Sequence, residues 1–234
     1  MKNVILIITV LLSYNSIQSK ELTGVELLEK AIKFHDPNQK WESFNGTLSI
    51  TMEIPNSPNR ESEIIINLPE EYFYSKAIKE KNTTEFILEK DTCKVFYNGN
   101  EDFSEEIANT KRLNCERAIM YKNYYTYIYG LPMKLKDPGT IIQSKVERKL
   151  FKGKEYLVLK VNYEEEVGKD VWYFYFNTKT YAMEIYQFFH EEAKNDGEYI
   201  LLTDLKTIEG IKMPKNRDWF TNKENKLLGT DILN

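Results

Sequence analysis

The sequence predicts a mainly β fold with helices (α+β): one large curved antiparallel sheet of about eleven strands forming an incomplete half-barrel, with two or three helices covering its concave face. Three observations lead there. The 234 residues include 16 Tyr and 12 Phe against 10 Gly and 7 Pro, and aromatic side chains pack well on a pleated surface. Turn signals such as Asn98-Gly99, Lys152-Gly153 and Asn195-Asp196-Gly197 separate alternating segments at roughly 8 to 16 residue intervals. Only two segments carry helical spacing, so the crossover helices that parallel strands need are missing and consecutive hairpins follow.

Thr23 can cap a helix whose Val25, Leu27, Leu28, Ala31, Ile32 and Phe34 form an apolar stripe, and Pro37 ends it by disfavouring helical geometry at Asp36. Leu48, Ile50, Met52 and Ile54 then alternate with Thr47, Ser49, Thr51 and Glu53, a strand with one wet face. Residues 55–60 (PNSPNR) read as a turn, followed by the strands ESEIIINL, EYFYSKAIKE, TEFILEKD and CKVFYNG. From about Thr110 helical spacing returns with Leu113, Arg117, Met120, Tyr124 and Tyr127, until Gly130-Leu131-Pro132 ends the segment. Residues 133–139 connect irregularly to a second run: TIIQSKVERKLF, EYLVLKVNYE, DVWYFYFN, YAMEIYQFFHE, EYILLTDLKTI, IKMPKNRDWFTN and KLLGTDIL. With neither a low-complexity linker nor an internal repeat, residues 20–234 are expected to form a single domain.

Composition narrows the function classes. A formal net charge of -4 argues against nucleic acid as a partner, since such binders present a strongly basic face. Met1-Lys2-Asn3, the apolar residues 4–12 (VILIITVLL) and the following SYNSIQS read as a secretory signal peptide over residues 1–19. The apolar run falls short of the roughly 20 residues a membrane span needs, so no permanent anchor is expected, and the mature chain is expected to be soluble, periplasmic and monomeric. In an oxidising compartment Cys93 and Cys115 most simply form one disulfide.

No catalytic signature is present: there is no Gly-x-Ser-x-Gly elbow, no His-Glu-x-x-His and no Gly-rich phosphate loop. The protein is therefore read as a non-enzyme with neither cofactor nor metal. His35-Asp36 and His190-Glu191-Glu192 are the one constellation that could assemble an acid/base pair or a metal site, against the plainer reading of His35 as a cation stabilising a helix C-terminus. The Tyr-rich stretch of Tyr121, Tyr124, Tyr125, Tyr127 and Tyr129 cannot lie on one helix face, so some rings must point outward or to a neighbouring strand.

The concave face carries one alternating set: Leu48, Ile50, Met52, Phe86, Leu88, Trp172, Phe174, Phe176, Met183 and Ile185. If the helices fill the half-barrel incompletely, these ten residues line a hydrophobic ligand cavity; if they fill it, the same residues are a packed core. Alternation does not separate the two. Two partner classes stay open, a lipid or acyl chain and a protein of the cell envelope.

The order of leader, amphipathic helix, antiparallel strands, interrupting helix and further strands resembles the half-barrel superfamily of LolA, LolB and LppX. The segments KAIKFHDPNQKW, YGLPMKLKDPG and IEGIKMPKNRDWF look like the exported DUF6503 family of Bacteroidota, near that superfamily. LolA holds lipoprotein acyl chains inside its half-barrel, so the resemblance implies a carrier or sensor of a lipid or lipoprotein. It transfers no functional residue to a position here, and kinship in fold does not fix function.

Overall fold

Thr23 opens helix α1 (Gly24–His35) with a capping box: its hydroxyl accepts from the Glu26 N–H while the Glu26 carboxylate accepts from the Thr23 N–H. The computed structural model describes residues 21–234, so the leader expected at residues 1–19 lies outside the described residues. Leu27, Leu28 and Ala31 are the buried stripe of α1. Among the described residues no helix is long and apolar enough to cross a membrane.

Five strands follow: β1 (Asn45–Ile54), β2 (Ser57–Asn67), β3 (Tyr72–Lys79), β4 (Asn82–Glu89) and β5 (Thr92–Tyr97). The expected turn over residues 55–60 is shorter in the structure. Pro55 and Asn56 alone make it, Asn56 taking the left-handed conformation at φ 60°, and β2 already runs from Ser57. The interrupting helix is also two helices, α2 (Glu105–Lys111) and α3 (Cys115–Gly130). Arg112 turns left-handed at φ 53°, and the Asn114 side chain then accepts from the Arg117 N–H to start α3 afresh. The second run comprises β6 (Thr140–Phe151), β7 (Lys154–Tyr163), β8 (Val171–Asn177), β9 (Met183–Phe189), β10 (Glu198–Ile208), β11 (Ile211–Thr221) and β12 (Leu227–Leu233). Lys152-Gly153 and Glu209-Gly210 make its tightest hairpins, with φ positive at all four residues.

Among the described residues twelve strands form one open antiparallel sheet in the order β5-β4-β3-β2-β1-β12-β11-β10-β9-β8-β7-β6. The count exceeds the expected eleven, and the class is as predicted. The closing strand β12 is central: it pairs with β1, Leu233 opposite Ile50 and Asp231 opposite Met52, and so joins the two hairpin runs. Neither edge strand meets the other, which leaves the curved sheet an incomplete barrel.

Two clusters fill the helix-covered face. Leu48, Ile50, Ile64, Ile66, Phe73, Phe86 and Leu88 pack against Ala118, Tyr125, Ile128 and Tyr129 of α3. Leu157, Leu159, Val161, Phe174, Phe176, Met183 and Ile200 pack against Leu27, Leu28 and Ala31 of α1. A third cluster of Tyr156, Val158, Tyr173, Tyr175 and Ile185 is separate from both. Lysine ammonium groups lie over its rings, Lys149 Nζ at 4.3 Å and Lys160 Nζ at 5.2 Å from the Tyr173 centroid and Lys154 Nζ at 5.2 Å from that of Tyr156.

Cys93 and Cys115 form the expected disulfide, tying β5 to the first residue of α3 across a sequence separation of 22. Closing a loop of that length contributes about 3 kcal/mol in the chain-entropy account. Replacing both cysteines by serine is therefore expected to lower unfolding stability by about 3 kcal/mol in urea titration. An unchanged midpoint would show that the crosslink constrains nothing.

Candidate ligand site

The ten residues expected to line a cavity divide between the clusters. Leu48, Ile50, Phe86 and Leu88 belong to the cluster under α3, and Phe174, Phe176 and Met183 to the cluster under α1 with Trp172 packed at its margin. Met52 is partly exposed beside Arg60 and Asp231, its register partners on β2 and β12. Ile185 departs from the alternation. Phe176 pairs with Met183 but Tyr175 with Ile185, so one extra residue intervenes in β9 and Ile185 joins Tyr173 and Tyr175 in the third cluster. Leu48, Ile50, Phe86, Leu88, Phe174, Phe176, Met183 and Ile185 are all at most 6 % exposed.

What lies over the sheet is a layer of rings. Helical spacing places Tyr121, Tyr125 and Tyr129 in one row, neighbouring centroids being 6.1 and 6.3 Å apart, and Tyr125 lies on Phe73 while Tyr121 meets Phe86 at 5.6 Å. Tyr124 stacks against Trp219 at 6.4 Å, and Tyr127 meets Trp172 edge-on at 5.9 Å. All five tyrosines of α3 thus turn towards strands, and Ile119 and Met120 are its exposed apolar residues. The layer continues through Tyr186, Trp172 and Phe188, and Trp172, Trp219 and Phe188 are partly exposed.

Beneath this layer the sheet carries charge. Arg217 on β11 pairs with Asp231 on β12, Asp231 with Met52 on β1, and Met52 with Arg60 on β2, one row across four strands. Arg217 is 1 % exposed; its guanidinium lies 3.9 Å from the Tyr129 centroid and donates to the carbonyls of Pro214 (3.0 Å) and Ile128 (3.4 Å). Asp231 is also buried and accepts from the Trp219 indole N–H at 3.1 Å. Burial pushes its carboxyl above the usual range, against the pull of Arg217 and Arg60. Burial likewise raises the hydroxyls of Tyr124, Tyr125, Tyr129 and Tyr186.

Several polar atoms of this region are buried without a hydrogen-bond partner among the described residues: Arg60 Nε, Arg217 Nε, Ser62 Oγ and the hydroxyls of Tyr129 and Tyr186. Each such atom costs about 1–3 kcal/mol if left dry. A void of about 10 Å³ touches Arg60, Ser62 and Tyr125, room for about one water. Chemically, the region offers N–H and O–H donors and an excess of guanidinium over carboxylate.

Sequence reasoning missed Arg60, Arg217 and Asp231. Their signal is phase: Arg60 is in step with Ser62, Ile64 and Ile66, and Arg217 with Ile211, Met213 and Trp219, so each occupies an inward position of its strand.

The two histidines have separate partners. Both ring nitrogens of His35 are engaged, Nδ1 with the Lys212 carbonyl at 2.7 Å and Nε2 accepting from the Met183 N–H at 2.9 Å. His190 is exposed and pairs with Asp170 at 2.7 Å. Asp36 accepts from the N–H groups of Lys40 and Trp41, fixing the bend after α1. Among the described residues no three His, Cys, Asp or Glu side chains gather as a metal site. A surface cleft of about 910 Å³ runs over Ile32, Trp41, Leu68 and Met133, and one of about 570 Å³ over Tyr127, Tyr163 and Trp172. The Lys134–Asp137 ion pair stands between them, shared by both.

Known structures resemble the chain at low identity. A LolA-superfamily protein of Nitrosomonas europaea is 12% identical with a TM-score of 0.47, covering 92% of this chain and 94% of its own. A domain from Vibrio parahaemolyticus described as an outer membrane lipoprotein-sorting protein is 10% identical, TM-score 0.47, with 88% of each chain covered. A DUF1329 family protein from Desulfovibrio piger is 8% identical, TM-score 0.48, covering 90% of this chain and 91% of its own. No curated protein matches the sequence. The profile described as "Family of unknown function (DUF6503)" matches residues 1–233, and the chain belongs to that family.

Proposed function

We propose that the protein is an exported binding protein, a carrier or sensor that takes a lipid, acyl chain or lipoprotein between the ring layer of α3 and the face of the sheet beneath it. The observation that carries this reading is the ring layer itself, contiguous from Tyr125 to Trp172 and partly exposed at Trp172, Trp219 and Phe188. Helix α3 is tethered at its first residue by Cys115 and packs at its last, Gly130, against Trp41. Between those points it meets the sheet largely through rings, which an apolar chain can replace contact for contact. At about 0.8 kcal/mol per methylene, a chain of roughly 14 carbons gains about 11 kcal/mol gross, enough for micromolar binding after ordering costs.

The near-complete burial of eight of the ten expected lining residues favours a second reading, an envelope interaction module with a solid core. Tryptophan emission separates them. A brominated fatty acid is expected to quench the wild type with a micromolar midpoint and to lose most of that effect in Trp172→Phe/Trp219→Phe, which retains Trp41. Absence of quenching, with no lipid carried through native mass spectrometry of periplasmic material, would reject the carrier.

A further inference from the structure

We propose that the row Arg217–Asp231–Arg60, with Tyr129 above it and Tyr186 beside it on β9, seats the anionic headgroup of an amphiphile, a carboxylate or a phosphate. This inference rests on the carrier reading and adds a ligand class to it: the molecule has an acidic head as well as an apolar tail.

Donors in the row outnumber the bonds they make. The atoms without a well-formed hydrogen bond include two guanidinium Nε groups, which can only donate, and the hydroxyls of Tyr129 and Tyr186, each on a residue 1 % exposed, with the Arg217 guanidinium close enough to act on the Tyr186 hydroxyl. On the acceptor side Asp231 Oδ2 receives the Trp219 indole N–H and the carbonyls of Pro214 and Ile128 take Arg217 Nη1 and Nη2, and neither Nε reaches Asp231. Two guanidinium groups face one carboxylate, so the row has room for one more negative charge before it is neutral. An anion with two or three oxygens would satisfy the remaining donors together, as charge-assisted bonds to guanidinium and phenol. A neutral apolar ligand would leave them as they are.

Placement agrees with this. Trp219 joins the two parts: its indole nitrogen holds Asp231, and its rings continue to Tyr124 and Tyr186 in the partly exposed layer. A head on the row would leave its tail along those rings. The void beside Arg60 holds about one water, so seating a head requires the tyrosines of α3 to part from the sheet.

The test compares hexadecanoate, its methyl ester and a single-chain lysophosphatidate by calorimetric titration. Wild type is expected to bind the two anions at least tenfold more tightly than the ester, and whichever anion binds tighter identifies the head. Tyr186→Phe removes one hydroxyl and leaves the ring, and is expected to weaken the anions three- to tenfold, to leave the ester unchanged and to keep the melting temperature at or above that of wild type. Arg217→Met is expected to abolish the preference. Equal affinity for acid and ester in wild type, or an unaltered preference in Tyr186→Phe, overturns the headgroup seat while the carrier reading stands; no binding of any of the three overturns both, leaving the void a water site.

Discussion

Lowering the pH from 7 to 4 is expected to cost the protein about 3 kcal/mol of stability through His35 alone. This imidazole closes α1 and is fully buried, and its two hydrogen bonds set its tautomer: Nδ1–H donates to Lys212 O, leaving Nε2 to accept from Met183 N–H. Protonation would place a hydrogen on Nε2 against an N–H and a charge in a dry site near Lys212 and Arg217. Burial above all brings its pKa down from 6.5 to about 4, although the Lys212 carbonyl acts the other way. The unfolded chain therefore takes up this proton first. The stabilisation is complete above pH 6.5 and is lost as pH falls towards about 4, below which both states are protonated. The interval between those values corresponds to roughly 3 kcal/mol. Urea unfolding of wild type and His35→Gln at pH 7, 5.5 and 4 reads it. The variant should be less stable at pH 7 yet flatter with pH; parallel curves would sink the assignment. His190 contributes in the opposite sense. Asp170 raises its pKa, so that stabilisation is present below the unfolded value and fades as pH rises.

The same residue illustrates what the sequence makes legible. His35 ahead of Asp36-Pro37 is readable as a helix end, because capping and the proline restriction act over four or five residues. Its partners are not readable, since Lys212 and Met183 are more than 140 positions away and meet it only once the sheet exists. Hairpins were legible for the reason the helix end was: Lys152-Gly153 and Glu209-Gly210 tolerate left-handed backbone locally. The interruption at Arg112–Asn114 was less so, because Leu113 continues the apolar spacing while the Asn114 cap overrides it. In the site, alternation found the apolar residues of the helix-covered face but assigned Ile185 to it, since an extra residue in β9 inverts the phase and leaves no compositional mark. Arg217 and Asp231 were overlooked for a different reason. A charge on a strand reads as solvent-facing unless its phase is compared with that of its apolar neighbours.

Removing Asp231 alone, as Asp231→Leu, is expected to destabilise the protein by about 3–5 kcal/mol, because Arg217 and Arg60 would then face each other without an acid between them. Arg217→Met should cost less, since Asp231 keeps Arg60 and the Trp219 indole. The double variant Arg217→Met/Asp231→Leu is the informative one. An apolar pair at adjoining inward positions of β11 and β12 leaves neither charge buried alone and adds to the packing of Tyr129, so the double variant should be more stable than Asp231→Leu. The Trp219 N–H loses its partner but is partly exposed and can turn to water, Arg60 loses its acid but is also partly exposed, and the carbonyls of Pro214 and Ile128 lose the Arg217 donor. Urea unfolding of the four proteins closes the cycle. Losses that simply add would mean that Arg217 and Asp231 stabilise the fold through separate contacts and not through each other, and the polar row would then need no ligand to account for it. Recovery in the double variant, together with loss of its preference for acids over esters, would separate the two roles: the surrounding apolar residues would suffice for stability, and the charges would be retained for what enters beneath α3.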